Sequence, residues 1–382
     1  MVNWWINAIA IVVISLFFTG FIIPRILVIA FRKRLFDAPD IRKIHTGIVP
    51  RLGGMAFVPG ILFSLFLIIG INVVVENVAF IQELIPAITR LALGCCAIIV
   101  LYMVGVADDL IGVRYRAKFF FQIFCAILLA ASGLWLNNLH GILGIYEIPV
   151  YVGYPLTIFI IVFVLNAINL IDGIDGLASA ICGIALIFYG VLFMCMRQHL
   201  YALLAFAAIG TLLPFFYYNV FGNVNRGRKI FMGDTGALTI GFILCFQAIA
   251  LSDFGNISIS GRLNFNHLIV AFSPLIVPCF DVVRVFFYRL RHHRHPFLPD
   301  KNHIHHRLLQ MGMSQHTALI CIISFSTAMT LLNMWLSVVV NINILLAIDI
   351  VLYTILHSIV SMRIAHKHTP IIVPSIEKII EK

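Results

Sequence analysis

Residues 166–176 read Asn166-Ala-Ile-Asn169-Leu-Ile-Asp172-Gly173-Ile-Asp175-Gly176, and they join two apolar runs, 154–171 and 177–196. A transmembrane helix needs about 20 apolar residues, and each run is of that order. Polar residues recur here at every third position. On an unbroken helix each such step turns about 60° backwards, so Asn166 and Asp175 would face opposite ways. Gly173 and Gly176 predict a break. Broken helix near a membrane boundary is tolerated where its backbone lines a polar cavity. Such a break would turn Asn169, Asp172 and Asp175 toward one site. The stretch therefore predicts a helical membrane protein with a polar site at the junction of two spans.

Composition supports that reading. Of 382 residues, 62% are hydrophobic and only 11% charged, with a mean hydropathy of +1.05. Soluble domains run at about 45–50% apolar and about 25% charged. This excludes an ordinary cytosolic enzyme, a disordered chain and a disulfide scaffold. The eight cysteines lie in or beside apolar runs without a CxxC pair, and read as packing residues. Eleven spans are expected, at 4–31, 54–71, 87–107, 118–136, 154–171, 177–196, 201–221, 235–251, 267–288, 317–336 and 342–362. Ten or twelve stay open if two runs pair as re-entrant segments. The first span lacks a basic leader and a small-residue cleavage site, so it is not read as a signal peptide.

The net charge of +10 is distributed in one way. Of 26 Lys and Arg, 21 fall in the loops and tail on one side of these spans: 32–51, 114–118, 226–229, 289–307 and 363–382. By the positive-inside rule that side is cytoplasmic. The N-terminus is then outside and the C-terminus cytoplasmic, as an odd span count requires. One transmembrane catalytic domain, 1–362, is expected to carry cytoplasmic site loops at 32–53, 108–118, 171–176, 222–234 and 288–316, with a cytoplasmic tail at 363–382. The basic excess suits anionic lipid and an anionic substrate, and does not require nucleic acid.

Five carboxylates stand where a membrane should have none. Asp108 and Asp109 end the third span, Asp172 and Asp175 the fifth, and Asp234 starts the eighth. All map to the cytoplasmic boundary. An acid at a helix centre costs about 2.5–3.5 kcal/mol and one at the boundary less, but five on one side are hard to read as unrelated solvated ends. Amide and carboxylate oxygens together suit Mg²⁺ or Mn²⁺, with phosphate completing the shell. Asp234 sits in Phe231-Met-Gly233-Asp234-Thr-Gly236, where it could hold a cation or merely cap a helix. Phe231 could stack on a base or sit as an interfacial aromatic. The segment His303-Ile-His305-His306-Arg307 follows several arginines. It could bind a metal or lipid headgroups, but a phosphate or sugar-phosphate clamp using Arg and protonated His is the better reading.

Together these residues resemble the polyprenyl-phosphate N-acetylhexosamine-1-phosphate transferases of glycosyltransferase family 4. The resemblance rests on Asp37-Ala-Pro-Asp-Ile-Arg42-Lys43-Ile-His45 with Pro50-Arg51-Leu-Gly53-Gly54, on Asp108-Asp109 with Lys118, on the stretch from Asn166, and on that from Phe231. His303-Ile-His305-His306-Arg307-Leu looks like the bacterial branch using UDP-N-acetylglucosamine. The resemblance implies an eleven-span fold in the bacterial inner membrane with a cytoplasmic active site. It implies that Asp234 and Asn169 bind the metal and that Phe231 stacks on uracil, with Asp175 bonding the base. Asp108, Asp109 and Lys118 would lie near the lipid-phosphate nucleophile. His303, His305, His306 and Arg307 would close over the sugar and diphosphate, and Asp172 would be a functional carboxylate of open role. Lys43, His45 and Arg51 are expected to bind substrate.

The implied reaction moves N-acetylhexosamine 1-phosphate, GlcNAc-1-phosphate foremost, from a UDP-sugar to undecaprenyl phosphate. It releases UMP and starts a cell-envelope glycan such as lipopolysaccharide or teichoic acid. Mg²⁺ is the expected cofactor, with Mn²⁺ an option. The partners are the UDP-sugar, undecaprenyl phosphate and the bilayer, with a homodimer left open. A phospho-MurNAc-pentapeptide transferase, a transporter and a lipid-binding scaffold are the competing readings. A transporter would normally place its acids near the midplane, and a scaffold would not need them.

Overall fold

The computed structural model describes residues 4–35, 49–254, 265–293, 295 and 302–368. Its helices are α1 (Trp4–Lys33), α2 (Phe57–Val74), α3 (Val78–Ile111), α4 (Tyr115–Ala131), α5 (Val150–Ile171), α6 (Leu177–Cys195) and α7 (His199–Val220). They continue as α8 (Gly233–Asp253), α9 (His267–Phe272), α10 (Ile276–Arg291), α11 (Ile304–Gln310), α12 (Gln315–Leu336) and α13 (Ile342–His368). A 3₁₀ turn at Gly53–Ala56 leads into α2, and another at Ser273–Leu275 joins α9 to α10. Lys43 and His45, expected to bind substrate, lie outside the described residues, as do residues 369–382.

Ten helical segments among the described residues are long and apolar enough to cross a membrane, α9 and α10 forming one of them. The eleventh expected span, 118–136, is the 17-residue α4. At 1.5 Å per residue α4 is about 26 Å long, a little under the roughly 30 Å hydrocarbon core. It stops because Gly133 takes φ +90° just past Ser132. A left-handed glycine there ends a helix.

One ribbon departs from the helical pattern. β1 (Asn138–Ile142) pairs antiparallel with β2 (Ile145–Glu147). Leu143 and Gly144 form its turn with φ of +52° and +77°, the positive pair a type I′ hairpin demands. The tip is pinned to the start of α13. Leu143 N donates to Asn343 Oδ1 at 2.8 Å, and Asn343 Nδ2 donates to the Gly141 carbonyl at 2.8 Å.

The centre of the bundle is α8. Every residue from Thr235 to Ser252 is buried, because its sequence is apolar or small on all faces. It packs on α3, α5 and α6, while α1 packs on α2 and α7. The outer helices expose large apolar side chains, Phe17, Phe21, Ile85, Phe159 and Trp335 among them. In water such a surface would be unstable; facing lipid it costs nothing. The chain is a multi-pass membrane protein, and one end of its central helix carries the acids.

Candidate active site

The site is built on the N-terminus of α8. Gly233 opens that helix at φ +72°. A Cβ there would lie 2.3 Å from the Arg51 carbonyl and 2.5 Å from Asp109 Oδ2, so only glycine fits. The first N–H groups of a helix lack partners within it, and Asp109 of α3 supplies them. Its Oδ1 accepts from Asp234 N at 2.8 Å, and its Oδ2 from Thr235 N at 3.0 Å and Thr235 Oγ1 at 2.5 Å. A carboxylate at a positive helix end is well placed electrostatically.

Asp108, one residue earlier, is differently used. Its Oδ1 accepts from Val113 N at 2.7 Å, while Lys118 Nζ bridges Asp108 Oδ2 and Asp234 Oδ2 at 2.5 Å each. The Asn169 amide adjoins Asp234 from the end of α5. Ligand atoms of Asp108, Asp109 and Asp234 all lie within 4.8 Å of one another. Carboxylate and amide oxygens are the donors that Mg²⁺ and Mn²⁺ prefer, so the residues fit such an ion. Both oxygens of Asp109 are already committed to α8. Asp108 and Asp234 share Lys118, so they and Asn169 are the oxygens that face one another, and Asp108 joins the pair expected from sequence as a candidate ligand.

Two distant segments lock together beside this cluster. Phe231 N donates to the Pro50 carbonyl, Gly53 N to the Phe231 carbonyl and Gly54 N to the Met232 carbonyl, each at 2.9 Å. Gly54 lies so close that a Cβ on it would be 2.1 Å from Gly236 N. Gly105 of α3 meets Thr235 in the same way, at 2.4 Å from its Cα. Phe231 stays half-buried at the rim.

The break between α5 and α6 falls where the glycines predict it, after Ile171, and Gly176 takes φ +80° before Leu177. Asn219, at the end of α7, fastens this loop. Its Oδ1 accepts from Gly176 N at 2.6 Å, and its Nδ2 donates to the Ile230 carbonyl at 2.9 Å. Lys229 Nζ pairs with Asp175 Oδ2 at 2.5 Å. Asp172 keeps contact with solvent although protein surrounds it. That enclosure pushes its carboxyl up to about 7, with Arg51 opposing and Asp175, Asp234 and Asp109 adding to the rise.

The histidine segment reaches the same loop. His305, in α11, is 1% exposed. A Cβ at Gly173 would fall 1.9 Å from its Nε2, so the missing side chain is what admits the ring. Burial, reinforced by His306, pushes His305 down to about 3. It is a neutral imidazole against Gly173, in contrast to the protonated clamp expected from sequence. Both its ring nitrogens are buried without a hydrogen-bond partner. Arg307 Nη2 donates to Ser361 Oγ of α13 at 2.9 Å.

Comparison with known proteins gives the family. Residues 91–252 match the profile of glycosyl transferase family 4. An undecaprenyl-phosphate alpha-N-acetylglucosaminyl 1-phosphate transferase of Yersinia pestis is 30% identical over 77% of this chain and 74% of its own. A Bacillus subtilis (strain 168) protein described as a "probable undecaprenyl-phosphate N-acetylglucosaminyl 1-phosphate transferase" is 32% identical over 81% of this chain and 79% of its own. The chain belongs to glycosyl transferase family 4. It is a membrane-bound transferase of that family, and the matched segment holds Asp108, Asp109, Lys118, Asn169, Asp172, Asp175 and Asp234. The 50–54 and 303–307 segments lie beyond the match and are brought to it by the backbone pairs and the His305–Gly173 contact described above. Reading the family 4 sequence by motif missed Asn219 and Gly105. A lone Asn at a helix end and a Gly inside a span carry no distinctive signal.

Proposed function

We propose that this protein transfers N-acetylglucosamine 1-phosphate from UDP-N-acetylglucosamine to undecaprenyl phosphate. The products are undecaprenyl-diphospho-N-acetylglucosamine and UMP. The observation that carries the reading is the cluster of Asp108, Asp109 and Asp234 within 4.8 Å at a membrane-boundary helix end. The names of the relatives support the substrates. The 303–307 segment, docked on the same loop, favours this donor over UDP-MurNAc-pentapeptide. The one-sided basic loops support a site on the cytoplasmic face of the bacterial inner membrane, with the N-terminus outside and the C-terminus inside. Residues 1–362 act as one catalytic domain and 363–382 as a tail.

Nucleophile and electrophile are both anions, so repulsion is the first barrier. Asp108, Asp234 and Asn169 would hold a divalent ion, which when bound would supply neutralising charge for the diphosphate. An oxygen of the lipid phosphate attacks the phosphorus that bears the sugar, and the bond from that phosphorus to the UMP oxygen breaks. Lys118 brings a second cation to the attacking phosphate. Arg51 and Arg307 offer donors to the anionic substrates. Phe231 presents a ring for the uracil, and Asp175 a hydrogen-bond acceptor. Asp109 holds α8 so that Asp234 keeps its place. Catalysis is then mainly positioning and electrostatics, as in other phosphoryl transfers.

The test uses purified full-length protein, undecaprenyl phosphate, Mg²⁺ and a panel of UDP-sugars, with UMP as readout. UMP release with UDP-N-acetylglucosamine and dependent on the lipid is expected. Release from UDP-MurNAc-pentapeptide alone, or none at all, would overturn the assignment.

A further inference from the structure

Asp281 lies on α10, inside an apolar run, with an exposure of 0%. It took no part in the site as read from the motifs. A buried carboxylate is costly unless its oxygens are fully engaged, and these are. Asp281 Oδ2 is 2.7 Å from His303 Nδ1, while Oδ1 accepts from Ile304 N at 3.0 Å, Arg284 Nη2 at 2.9 Å and Tyr353 OH at 3.1 Å. Arg284 also donates to the Asn302 carbonyl. One carboxylate thus clasps the entry to α11 from α10, with help from α13. Ser361 of α13 takes Arg307 at the other end of the segment.

The chemistry of the contact fixes a tautomer. An ionised carboxylate only accepts hydrogen bonds, so His303 Nδ1 carries the proton. Nε2 is then the nitrogen left for a substrate. The ring is held parallel to His305, 5.9 Å between centroids and 5° between planes, and His305 in turn packs on Gly173.

We propose that Asp281 is a positioning residue, orienting His303 through Nδ1 so that its Nε2 meets the sugar-phosphate donor. The inference rests on the transferase reading above. A mere fold fastener would show the same hydrogen bonds, and differs in one respect: its loss would matter as much without His303 as with it.

The experiment is a double-mutant cycle on kcat/KM for UDP-N-acetylglucosamine, measured as UMP release by the full-length protein with undecaprenyl phosphate and Mg²⁺. Asp281→Asn and His303→Ala should each lose about 10–100-fold, the range seen when an orienting partner is removed. The double variant should lose no more than His303→Ala alone, within about threefold. The KM for the lipid should stay within about threefold. His303→Asn keeps an N–H near the Nδ1 place and lacks Nε2. It should unfold near the wild-type temperature yet be as inactive as His303→Ala, which keeps the test open should Asp281→Asn fail to fold. Asn333→Leu, which breaks a buried bond to Asp349 between α12 and α13, is the control for lost stability alone and should retain turnover. Multiplied losses in the double variant, native turnover in His303→Asn, or an equal turnover loss in Asn333→Leu would overturn the proposal. A wild-type protein that releases no UMP from any UDP-N-acetylhexosamine would instead overturn the transferase reading, and this inference with it.

Discussion

Gly54→Ala is the most demanding test of how the site is assembled. The new Cβ would sit 2.1 Å from Gly236 N, 2.5 Å from Gly236 Cα and 2.9 Å from the Met232 carbonyl. All three are backbone atoms and cannot rotate away. Restoring an ordinary contact needs about 1 Å of separation between the 50–54 and 231–236 segments. That strains or breaks the Gly53–Phe231 and Gly54–Met232 bonds, each 2.9 Å long. Two such bonds are worth about 1 kcal/mol each, and overpacking adds about 1–3 kcal/mol. The local cost is therefore about 3–5 kcal/mol. Asp234 lies within the displaced segment, and a misplacement of about 1 Å can cost about 100-fold in rate. Three readouts apply: thermal unfolding in detergent, Mn²⁺ affinity by electron paramagnetic resonance, and UMP release. All three should fall, turnover most. Gly70→Ala is the control, because nothing lies within 4 Å of its Cβ. In mid-helix it should stabilise by up to about 1 kcal/mol. A Gly54→Ala protein with turnover within threefold of wild type and unchanged Mn²⁺ affinity would refute the docking argument.

Asp234→Asn should abolish UMP release and weaken Mn²⁺ binding in a protein that still folds, since one carboxylate leaves a small oxygen shell; near-normal turnover at ordinary Mg²⁺ would remove Asp234 from the site. Phe231→Ala should raise the UDP-sugar KM about tenfold or more, base stacking being worth about 1–3 kcal/mol, with a smaller effect on the lipid KM; lost stability at constant KM would make it an interfacial ring. Asn219→Ala removes bonds of 2.6 and 2.9 Å and should cost about 2 kcal/mol of stability, read as a lower unfolding temperature. His305 sets a pH dependence. Its folded value of about 3 lies below the ordinary histidine value of 6.5, so the unfolded chain binds more protons between those values. Stability should be intact above pH 6.5 and fall as pH drops below it, by at most about 1.4 kcal/mol per unit. A His305→Leu protein with the same loss of unfolding temperature between pH 7 and pH 5 as wild type would contradict this.

Much of the fold was legible because lipid simplifies the code. A run of about 20 apolar residues has few readings in a chain this hydrophobic, and the expected 177–196 and 235–251 are the observed Leu177–Cys195 and Gly233–Asp253. Apolarity fails where backbone conformation decides. The expected 118–136 overran α4 because hydropathy does not register the left-handed turn at Gly133. The ribbon was hidden because Leu143, an ordinary helix former, takes the left-handed place usually filled by Asn or Gly. The acids of the site stood out because each interrupts apolar sequence at a helix end. Asp281 had the same signal, an acid inside the 267–288 run, but no glycine break or neighbouring acid marked it as more than a solvated residue. What it holds, His303, is 22 residues away, and that pairing exists only in three dimensions.

The residues that hold this site are as polar as those that would react, and the solvent explains why. Within a bilayer, moving apolar side chains from lipid to protein gains little, so helices find their register through small residues and hydrogen bonds. The fastening of the site follows that rule throughout. Gly54 on Gly236 and Gly105 on Thr235 are close backbone approaches. Asp109 on α8, Asn219 between two loops and Asp281 on α11 are side-chain clasps to backbone N–H or C=O groups. Each clasp joins segments far apart in sequence, and each sits within a few residues of a group assigned to substrate or metal. Asp108 and Asp109, adjacent and chemically identical, divide the two duties. Asp109 spends both oxygens on the end of a helix, and Asp108 gives one to Val113 N and the other to Lys118. Sequence shows a pair of aspartates; the direction of α8 decides which of them caps it.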